Sequence, residues 1–264
     1  MADFDRKKPS IARVYDYWLG GKDNFAADRE LGDRLVRIGP ELPDMVRENR
    51  ELLTRAVSWS AGQGIDQFID LGCGLPTAPN THDTARLIAP EAKIAYVDND
   101  PVVINHLRVM LPRDPAIAVI DGDVDDPDAI LAEVGKLIDP ARPACLLMGA
   151  LLHFYETGAA RDLAARYISV LAPGSYVVLT AGYMPPGPDA ERFLAIYSAG
   201  PSSLYIHQPE DLLSFVHGLE ILPPGVADAQ VWRPGWEKVP DVAPRAIWMN
   251  GLMARVPKRL GSLK

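Results

Sequence analysis

Residues 68–77 read FIDLGCGLPT, and this stretch is more informative than the rest of the chain. An apolar run ends in Asp70, and Gly72 and Gly74 follow one residue apart. The pattern predicts a buried strand that runs into a turn so tight that only residues without a Cβ fit comfortably. In open parallel sheets, ligands bind outside the carboxyl ends of the strands. We therefore expect a ligand site at these glycines.

Two kinds of cofactor use glycines in this position. The pattern D-x-G-x-G resembles the first motif of S-adenosylmethionine (SAM) dependent methyltransferases, whereas dinucleotide-binding proteins carry G-x-G-x-x-G. Here Thr77 stands where the third glycine of the dinucleotide fingerprint would be. SAM has no pyrophosphate, so its site needs no helix N-terminus turned toward an anion. The broken fingerprint favours SAM and leaves an NAD(P)-dependent oxidoreductase as the weaker alternative.

From residue 65 onward, apolar runs alternate with helical patterns, which predicts a parallel sheet with crossover helices. The predicted strands are 66–71, 93–98, 116–121, 144–150, 175–182, about 219–222 and 246–254. The predicted helices between the first five strands lie near 81–89, 101–111, 126–138 and 158–171. Both faces of the last strand are apolar, which is typical of a strand inside a sheet; they carry Ile247, Met249 and Met253 on one side and Trp248 and Leu252 on the other.

The chain before the first strand reads as helical. One helix follows the spacing of Leu31, Leu35 and Ile38, and a second runs over about 42–62. Asn49 lies in the apolar stripe of this second helix, where a polar group costs stability unless it finds partners. We expect Asn49 either to cap neighbouring backbone or to reach toward a ligand.

The composition is that of a globular protein acting on a small molecule. The chain has 264 residues, of which 48% are hydrophobic, and a formal net charge of −8. Because no cluster of Lys and Arg forms a basic stripe, we expect no nucleic-acid partner. Cys73 and Cys145 show neither a disulfide framework nor metal-ligand spacing. With no apolar signal region and no membrane-spanning run, we expect a cytoplasmic protein that binds neither a metal nor a membrane.

Acidic residues follow the next two predicted strands. Asp98 and Asn99 end the second strand, where a carboxylate suits the two hydroxyls of a ribose. NAD sites use the same device, and capping of the following helix is the alternative, which fits Asp100 better. After the third strand, Asp123 would accept from the adenine amine and the Val124 N–H would face the ring. Capping of the helix near 127 is the alternative for that acidic cluster.

The fourth predicted strand ends LLMGALLHFYE, residues 146–156. Gly149 and Ala150 are small enough to let a cofactor approach closely. His153 follows at the mouth of the site and could act as a general base. It could equally only hydrogen-bond and shape the pocket, because methyl transfer often needs little beyond in-line positioning.

With these residues assembled, the chain resembles an actinobacterial family of S-adenosyl methyltransferases once described only as a domain of unknown function. The resemblance rests on FIDLGCGLPT and on ARVYDYWLGGKDNFAADRE (12–30), ENRELLTRAV (48–57), YVDNDPVV (96–103), LEILPPGV (219–226) and VWRP (231–234). It implies a class I SAM-dependent methyltransferase, with a Rossmann-like, mostly parallel sheet whose last strand is antiparallel. It also implies SAM as cofactor and S-adenosylhomocysteine as product. We expect a helical extension over 1–62 and a SAM-binding domain over 63–264.

The N-terminal signature also has a physical interpretation. Tyr17, Gly21 and Asn24 could belong to a lid that folds over the cofactor. The alternative is a helix end and turn packed on the domain surface. Under the lid, Asn49 and Arg50 could approach the methionine carboxylate, since an arginine binds carboxylates through two hydrogen bonds.

The family resemblance does not name the methyl acceptor. Residues 183–215, with two short helices and several aromatic residues, form the expected acceptor-side cap. A methyltransferase acting on a small molecule and a SAM-binding sensor without catalysis both fit the sequence. Methylation at O, N or C and the oligomeric state, a homodimer included, stay open.

Overall fold

The computed structural model describes residues 5–111, 113–200 and 202–258. Its strands are β1 (Gln67–Leu71), β2 (Lys93–Asp98), β3 (Ile117–Asp121), β4 (Cys145–Gly149), β5 (Tyr176–Tyr183), β6 (Glu220–Ile221), β7 (Ala227–Asp228) and β8 (Trp248–Arg255). Its α-helices are α1 (Ile11–Trp18), α2 (Ala26–Val36), α3 (Leu42–Gly62), α4 (Thr81–Arg86), α5 (Pro101–Met110), α6 (Pro127–Val134), α7 (Thr157–Ile168), α8 (Pro188–Ser198) and α9 (Pro209–Phe215). A single 3₁₀ turn, Leu152–Phe154, follows β4.

The strands form one sheet in the order β3-β2-β1-β4-β5-β8-β6, with β7 paired to β8. β1 to β5 are parallel, and β8 runs antiparallel to β5. The predicted sheet, with its antiparallel last strand, is therefore confirmed. The chain moves outward in one direction from β1 to β3 and in the other from β4, so the strand order reverses between β1 and β4. In open α/β sheets, ligands bind at such a reversal.

The observed strand bounds follow the predicted ones closely. β2 begins and ends where it was expected, and β1, β3 and β4 each start one residue later. The last strand starts at Trp248, so Ile247 precedes it. Helices α4 and α6 end earlier than expected, α6 because Gly135 follows its last turn. The two-residue strand β7 was not predicted, because so short a segment carries no periodic signal.

Two hydrophobic layers cover the faces of the sheet. Neighbouring residues of β1 alternate between them: Phe68 packs in one layer and Ile69 in the other. The two-sided burial predicted for the last strand is confirmed, because Met249 and Met253 lie in the first layer and Leu252 in the second. The first layer also receives the apolar stripe of α3, which holds this long helix across the sheet.

A buried ion pair fixes the two N-terminal helices to each other. Asp28 is fully buried, and one carboxylate oxygen lies 2.8 Å from Nε of Arg13. The same carboxylate accepts from the backbone N–H groups of Ser10 and Phe25, at 2.9 and 2.7 Å. Breaking a buried pair that is satisfied in this way is strongly destabilising. These bonds therefore hold α1 in a defined place over the carboxyl edge of the sheet.

Candidate functional site

A cavity of about 600 Å³ lies at the carboxyl ends of β1, β2 and β4, where the strand order reverses. α1 and α3 wall it on the opposite side. Its volume lies within the range usual for small-molecule and cofactor sites. Ten of the site residues proposed from the sequence line it: Asn49, Arg50, Asp70, Gly72, Gly74, Asp98, Asn99, Val124, Gly149 and Ala150.

The turn after β1 requires both of its glycines. Gly72 and Gly74 have φ angles of +64° and +67°, a region that L side chains rarely adopt. A Cβ added at Gly74 would meet no atom within 4 Å, so this face of the turn borders open space. α4 begins only at Thr81, so no helix opens within the glycine motif itself. In dinucleotide sites a helix opens at the glycine motif and its N-terminus binds the pyrophosphate, an arrangement that this turn lacks.

Asp98 connects the end of β2 to this turn. One of its carboxylate oxygens accepts from the Gly74 N–H and the other from the Asp100 N–H, both at 2.9 Å. Burial raises the pKa of Asp98 to about 6. A carboxylate offers about four acceptor positions, so Asp98 can still accept further hydrogen bonds. Asp100 caps the N-terminus of α5, as expected for that residue. Its side chain accepts from the Val102 N–H at 2.8 Å.

Asp70 lies at the cavity wall. The Thr81 hydroxyl donates to its carboxylate at 2.7 Å, and burial raises the pKa of Asp70 above its usual value. This bond ties the start of α4 to the end of β1. The carboxylate keeps acceptor capacity toward the cavity that the Thr81 bond does not use.

Asn49 does not cap neighbouring backbone, and its amide nitrogen bonds to a side chain of α1. Its Nδ2 donates to the Tyr15 hydroxyl at 2.8 Å, and that hydroxyl donates to the Val46 carbonyl at 3.2 Å. Asn49 is 2% exposed, and its Oδ1 has no hydrogen-bond partner within the described residues. An unpaired buried acceptor costs about 1–3 kcal/mol, and this one belongs to a residue of the cavity wall. Arg50, next to it, donates to the Thr77 carbonyl at 2.8 Å.

Three proposed residues of the N-terminal signature lie outside the cavity lining. The Tyr17 hydroxyl donates to Asp33 at 2.7 Å, on the outer side of α1. Asn24 donates to the Asp16 carboxylate at 2.9 Å, and a Cβ on Gly21 would come within 1.9 Å of that carboxylate. Asn24 and Gly21 therefore build the turn that holds Asp16, and Asp16 is the residue that lines the cavity.

Asp123 also lies outside the lining, although its neighbours Gly122 and Val124 belong to it. Its exposed carboxylate accepts from Asn99 Nδ2 at 3.0 Å and thereby holds that residue at the cavity edge. The helix-capping alternative does not apply to Asp123, because the N-cap of α6 is Asp126.

His153 lines a second, smaller cavity next to the first. Its Nδ1 lies 3.1 Å from the Gly182 backbone nitrogen and accepts from that N–H. The neutral ring therefore carries its proton on Nε2. Burial, with a smaller effect from His207, lowers the pKa of His153 to about 3. These contacts support a hydrogen-bonding residue that shapes the pocket and not a general base at neutral pH.

Sequence reasoning missed several residues in and just before α1 that line the cavity. Ser10, which precedes the helix, and Ile11, Ala12 and Asp16 within it all do so. The spacing of Ile11 and Tyr15, one helical turn apart, was the available signal, but an eight-residue helix is too short for a periodic pattern to stand out.

Comparison with known proteins gives the family of the chain. The family model described as S-adenosyl methyltransferase matches residues 1–257. A methyltransferase candidate from Thermobifida fusca shares 38% identity and a TM-score of 0.89, over 96% of this chain and 97% of its own. A DUF574 family protein from Streptomyces avermitilis shares 35% identity and a TM-score of 0.88, over 96% and 99% of the two chains. No curated protein sequence matches.

A more distant structure shares the fold alone. Magnesium protoporphyrin IX methyltransferase from Synechocystis, solved with S-adenosylhomocysteine, has 14% identity and a TM-score of 0.50, over 93% of this chain and 98% of its own. The family match covers nearly the whole chain, and both the glycine turn and the order of the strands agree with it. The chain therefore belongs to the S-adenosyl methyltransferase family and is an enzyme that uses S-adenosylmethionine.

Proposed function

We propose that this enzyme transfers a methyl group from SAM to a small molecule that enters beside Ala150. One observation carries the proposal. The Gly74 N–H is bonded to the Asp98 carboxylate at the wall of a 600 Å³ cavity, so the two motifs expected for SAM form one surface. The acceptor side is supported by the second cavity, which shares Ala150 and Phe154 with the first.

Each part of SAM has a candidate partner in the cavity wall. Asp98 would accept from the ribose hydroxyls, with Asn99 beside it, and the Gly72 to Gly74 turn would border the methionine portion. The Val124 N–H would serve the adenine, and Asp123 would hold Asn99 in place through their hydrogen bond. SAM supplies an activated methyl group on its sulfonium, and small residues at Gly149 and Ala150 leave room for it. The residues of this chain bind and orient the two reactants, which accounts for much of the catalysis in such transfers.

We also propose that the N-terminal extension, residues 1–62, closes the site. α1 contributes Ile11 and Tyr15 to the walls of both cavities. The Ser10 hydroxyl donates to Asp100 at 2.6 Å, and His106 on α5 lies 3.3 Å from Asp23. These contacts join the extension to the end of β2 and to α5, so α1 excludes water from the sulfonium. Residues 183–215 would then form the acceptor-side cap.

The cellular setting follows from the sequence alone. We propose a cytoplasmic enzyme, in keeping with two free cysteines and an acidic chain without a basic stripe. Within the residues that the structure describes, no helix is long and apolar enough to cross a membrane.

Calorimetric titration tests the proposed function. We expect SAM and S-adenosylhomocysteine to bind and NADH not to bind, because α4 does not open at the glycine turn, as the helix that binds the pyrophosphate does in a dinucleotide site. Binding of NADH in preference to both sulfur compounds would contradict the proposal and revive the oxidoreductase alternative. Binding of SAM without methyl transfer to any acceptor would favour the sensor.

Asn49→Leu tests whether the unpaired amide oxygen of Asn49 binds the cofactor. We infer that Asn49 Oδ1 accepts from the ammonium of the methionine portion, a role that suits an acceptor better than the carboxylate contact first expected. The substitution should weaken S-adenosylhomocysteine binding about 10-fold, since a hydrogen bond to a charged group contributes about 1.5 kcal/mol. Isothermal titration measures the affinity.

The matched control is Ser60→Ala, which removes another buried polar group from α3. Ser60 bonds to Cys145 and does not line the cavity. We expect Ser60→Ala to leave the affinity for S-adenosylhomocysteine unchanged. Equal affinity in wild type and Asn49→Leu would show that Asn49 serves only to hold Tyr15.

A further inference from the structure

The small cavity beside the SAM cavity has an apolar wall. It measures about 70 Å³ and lies between α1, α8 and the ends of β5 and β8. Within the described chain no Asp, Glu, Lys or Arg lines it. A cavity that holds benzene has about 150 Å³, so this one takes a single small group. Its lining includes Trp18, Leu42, Met45, Phe154, Met184, Phe193, Tyr197, Leu204, Ile206, Ile247 and Met249.

The two cavities are neighbours and share part of their lining. Ile11, Tyr15, Ala150 and Phe154 border both. Ala150 has a φ of +52°, and its N–H bonds to the Thr180 carbonyl at 3.1 Å and to the Thr180 hydroxyl at 2.8 Å. The backbone is thus held in a strained conformation where the cavities meet, which is common where a reacting group must approach. A molecule with its apolar end in the small cavity has its other end beside Ala150.

Among its described residues, the wall of the small cavity offers His153 as a hydrogen-bond donor and has no side chain suited to accept a proton. His153 has Nδ1 occupied by the Gly182 N–H, and its Nε2 has no partner within the described residues. Behind it His207 donates from Nε2 to the Leu152 carbonyl, at 3.1 Å. The other titratable side chains of the wall, among the described residues, are phenols, which are poor proton acceptors: Tyr15, Tyr183, Tyr197 and Tyr205.

The carboxylates of the large cavity lie outside the small one. Five aspartates line the large cavity, and none of them lines the small cavity: Asp5, Asp16, Asp70, Asp98 and Asp100. An alcohol or phenol held in the small cavity, which must lose a proton as it is methylated, would therefore find no carboxylate among the described residues of its wall to receive that proton.

From this geometry we propose that the methyl acceptor is a small apolar carboxylic acid, which the enzyme converts to its methyl ester. The inference rests on the proposed methyltransferase function. One carboxylate oxygen accepts from His153 Nε2–H, and the other attacks the methyl carbon. The electron pair of the breaking C–S bond goes to sulfur, giving the ester and S-adenosylhomocysteine, and no proton is released. The sulfonium charge compensates the buried carboxylate until the transfer neutralises both.

A panel of acceptors of matched shape tests this class. The holoenzyme is incubated with SAM carrying a deuterated methyl group and with propanoate, butanoate or 3-methylbutanoate, or with the alcohol and amine of the same carbon skeleton. Mass spectrometry should find methyl esters from the acids and no transfer to the alcohols or amines. With saturating SAM, kcat should stay constant between about pH 6.5 and about pH 8.5, because these acids are already ionised there. Transfer to an amine or alcohol, the absence of any ester, or a kcat that rises tenfold per pH unit would each overturn the proposal.

Variants of His153 separate a failure of this inference from a failure of the proposed function. His153→Leu should raise KM for the acid about 10-fold with S-adenosylhomocysteine affinity unchanged, and His153→Gln, which keeps a donor, should restore much of the loss. His217→Leu, at an exposed site on the far side of α9, is the control. If wild type does not bind S-adenosylhomocysteine, the methyltransferase site is wrong. If it binds and only the acids fail, the acceptor class alone is wrong.

Discussion

Asp98→Ala is expected to weaken S-adenosylhomocysteine binding by at least about 100-fold. In the proposed binding mode, the substitution removes the charged acceptor of two ribose hydrogen bonds, each contributing about 1.5 kcal/mol or more. It also removes the bond that holds the Gly74 N–H, so the turn after β1 loses a contact at the cavity wall. Isothermal titration calorimetry measures the loss, and thermal unfolding checks that the variant folds.

Asp121→Ala is the control for this experiment. Asp121 is the register partner of Asp98 on β3, is exposed and does not line the cavity. Its removal should change the affinity less than about twofold, because a surface charge at this distance is largely screened. If both variants bind as wild type does, Asp98 serves only to fix the glycine turn.

Gly74→Ala should weaken S-adenosylhomocysteine binding by about 30-fold while destabilising the fold only moderately. At a φ of +67°, an alanine costs about 1 kcal/mol of backbone strain. Its Cβ would point into open space bordering the cavity, where it would overlap a ligand lying against the turn. Overpacking of this kind costs about 2 kcal/mol, which corresponds to the expected loss of affinity.

Gly64→Ala is the control that separates the cost of backbone strain from the cost of an overlap between the new Cβ and the ligand. Gly64 has a φ of +88°, and a Cβ there also meets no atom within 4 Å, but it lies in the turn before β1 and outside the cavity. We expect both variants to lose about 1 kcal/mol in the free energy of unfolding, as measured with urea. Only Gly74→Ala should lose affinity. Equal affinities would mean that the ligand does not approach the glycine turn.

Local sequence patterns were enough to predict the architecture of the sheet and many of the residues that line the large cavity. Alternating apolar runs predicted the first five strands, and the bounds of β2 were confirmed without change. Asp98 and Gly74 were identified by local rules, since a carboxylate at a strand end and a glycine in a tight turn are visible within a few residues. Because the carboxyl ends of parallel strands meet at one edge, these local features come together whenever the sheet forms.

Tertiary structure alone decided the contacts made across the cavity. Tyr17 and Asn24 belong to the same signature as Asp16, yet only Asp16 lines the cavity, because the ion pair between Arg13 and Asp28 sets the position of α1. The roles of side chains that depend on distant partners were equally hidden. The tautomer of His153 is set by the backbone N–H of Gly182, 29 residues further along the chain. Hydrogen bonding and burial of this kind arise from packing between elements, and a sequence pattern records them only indirectly.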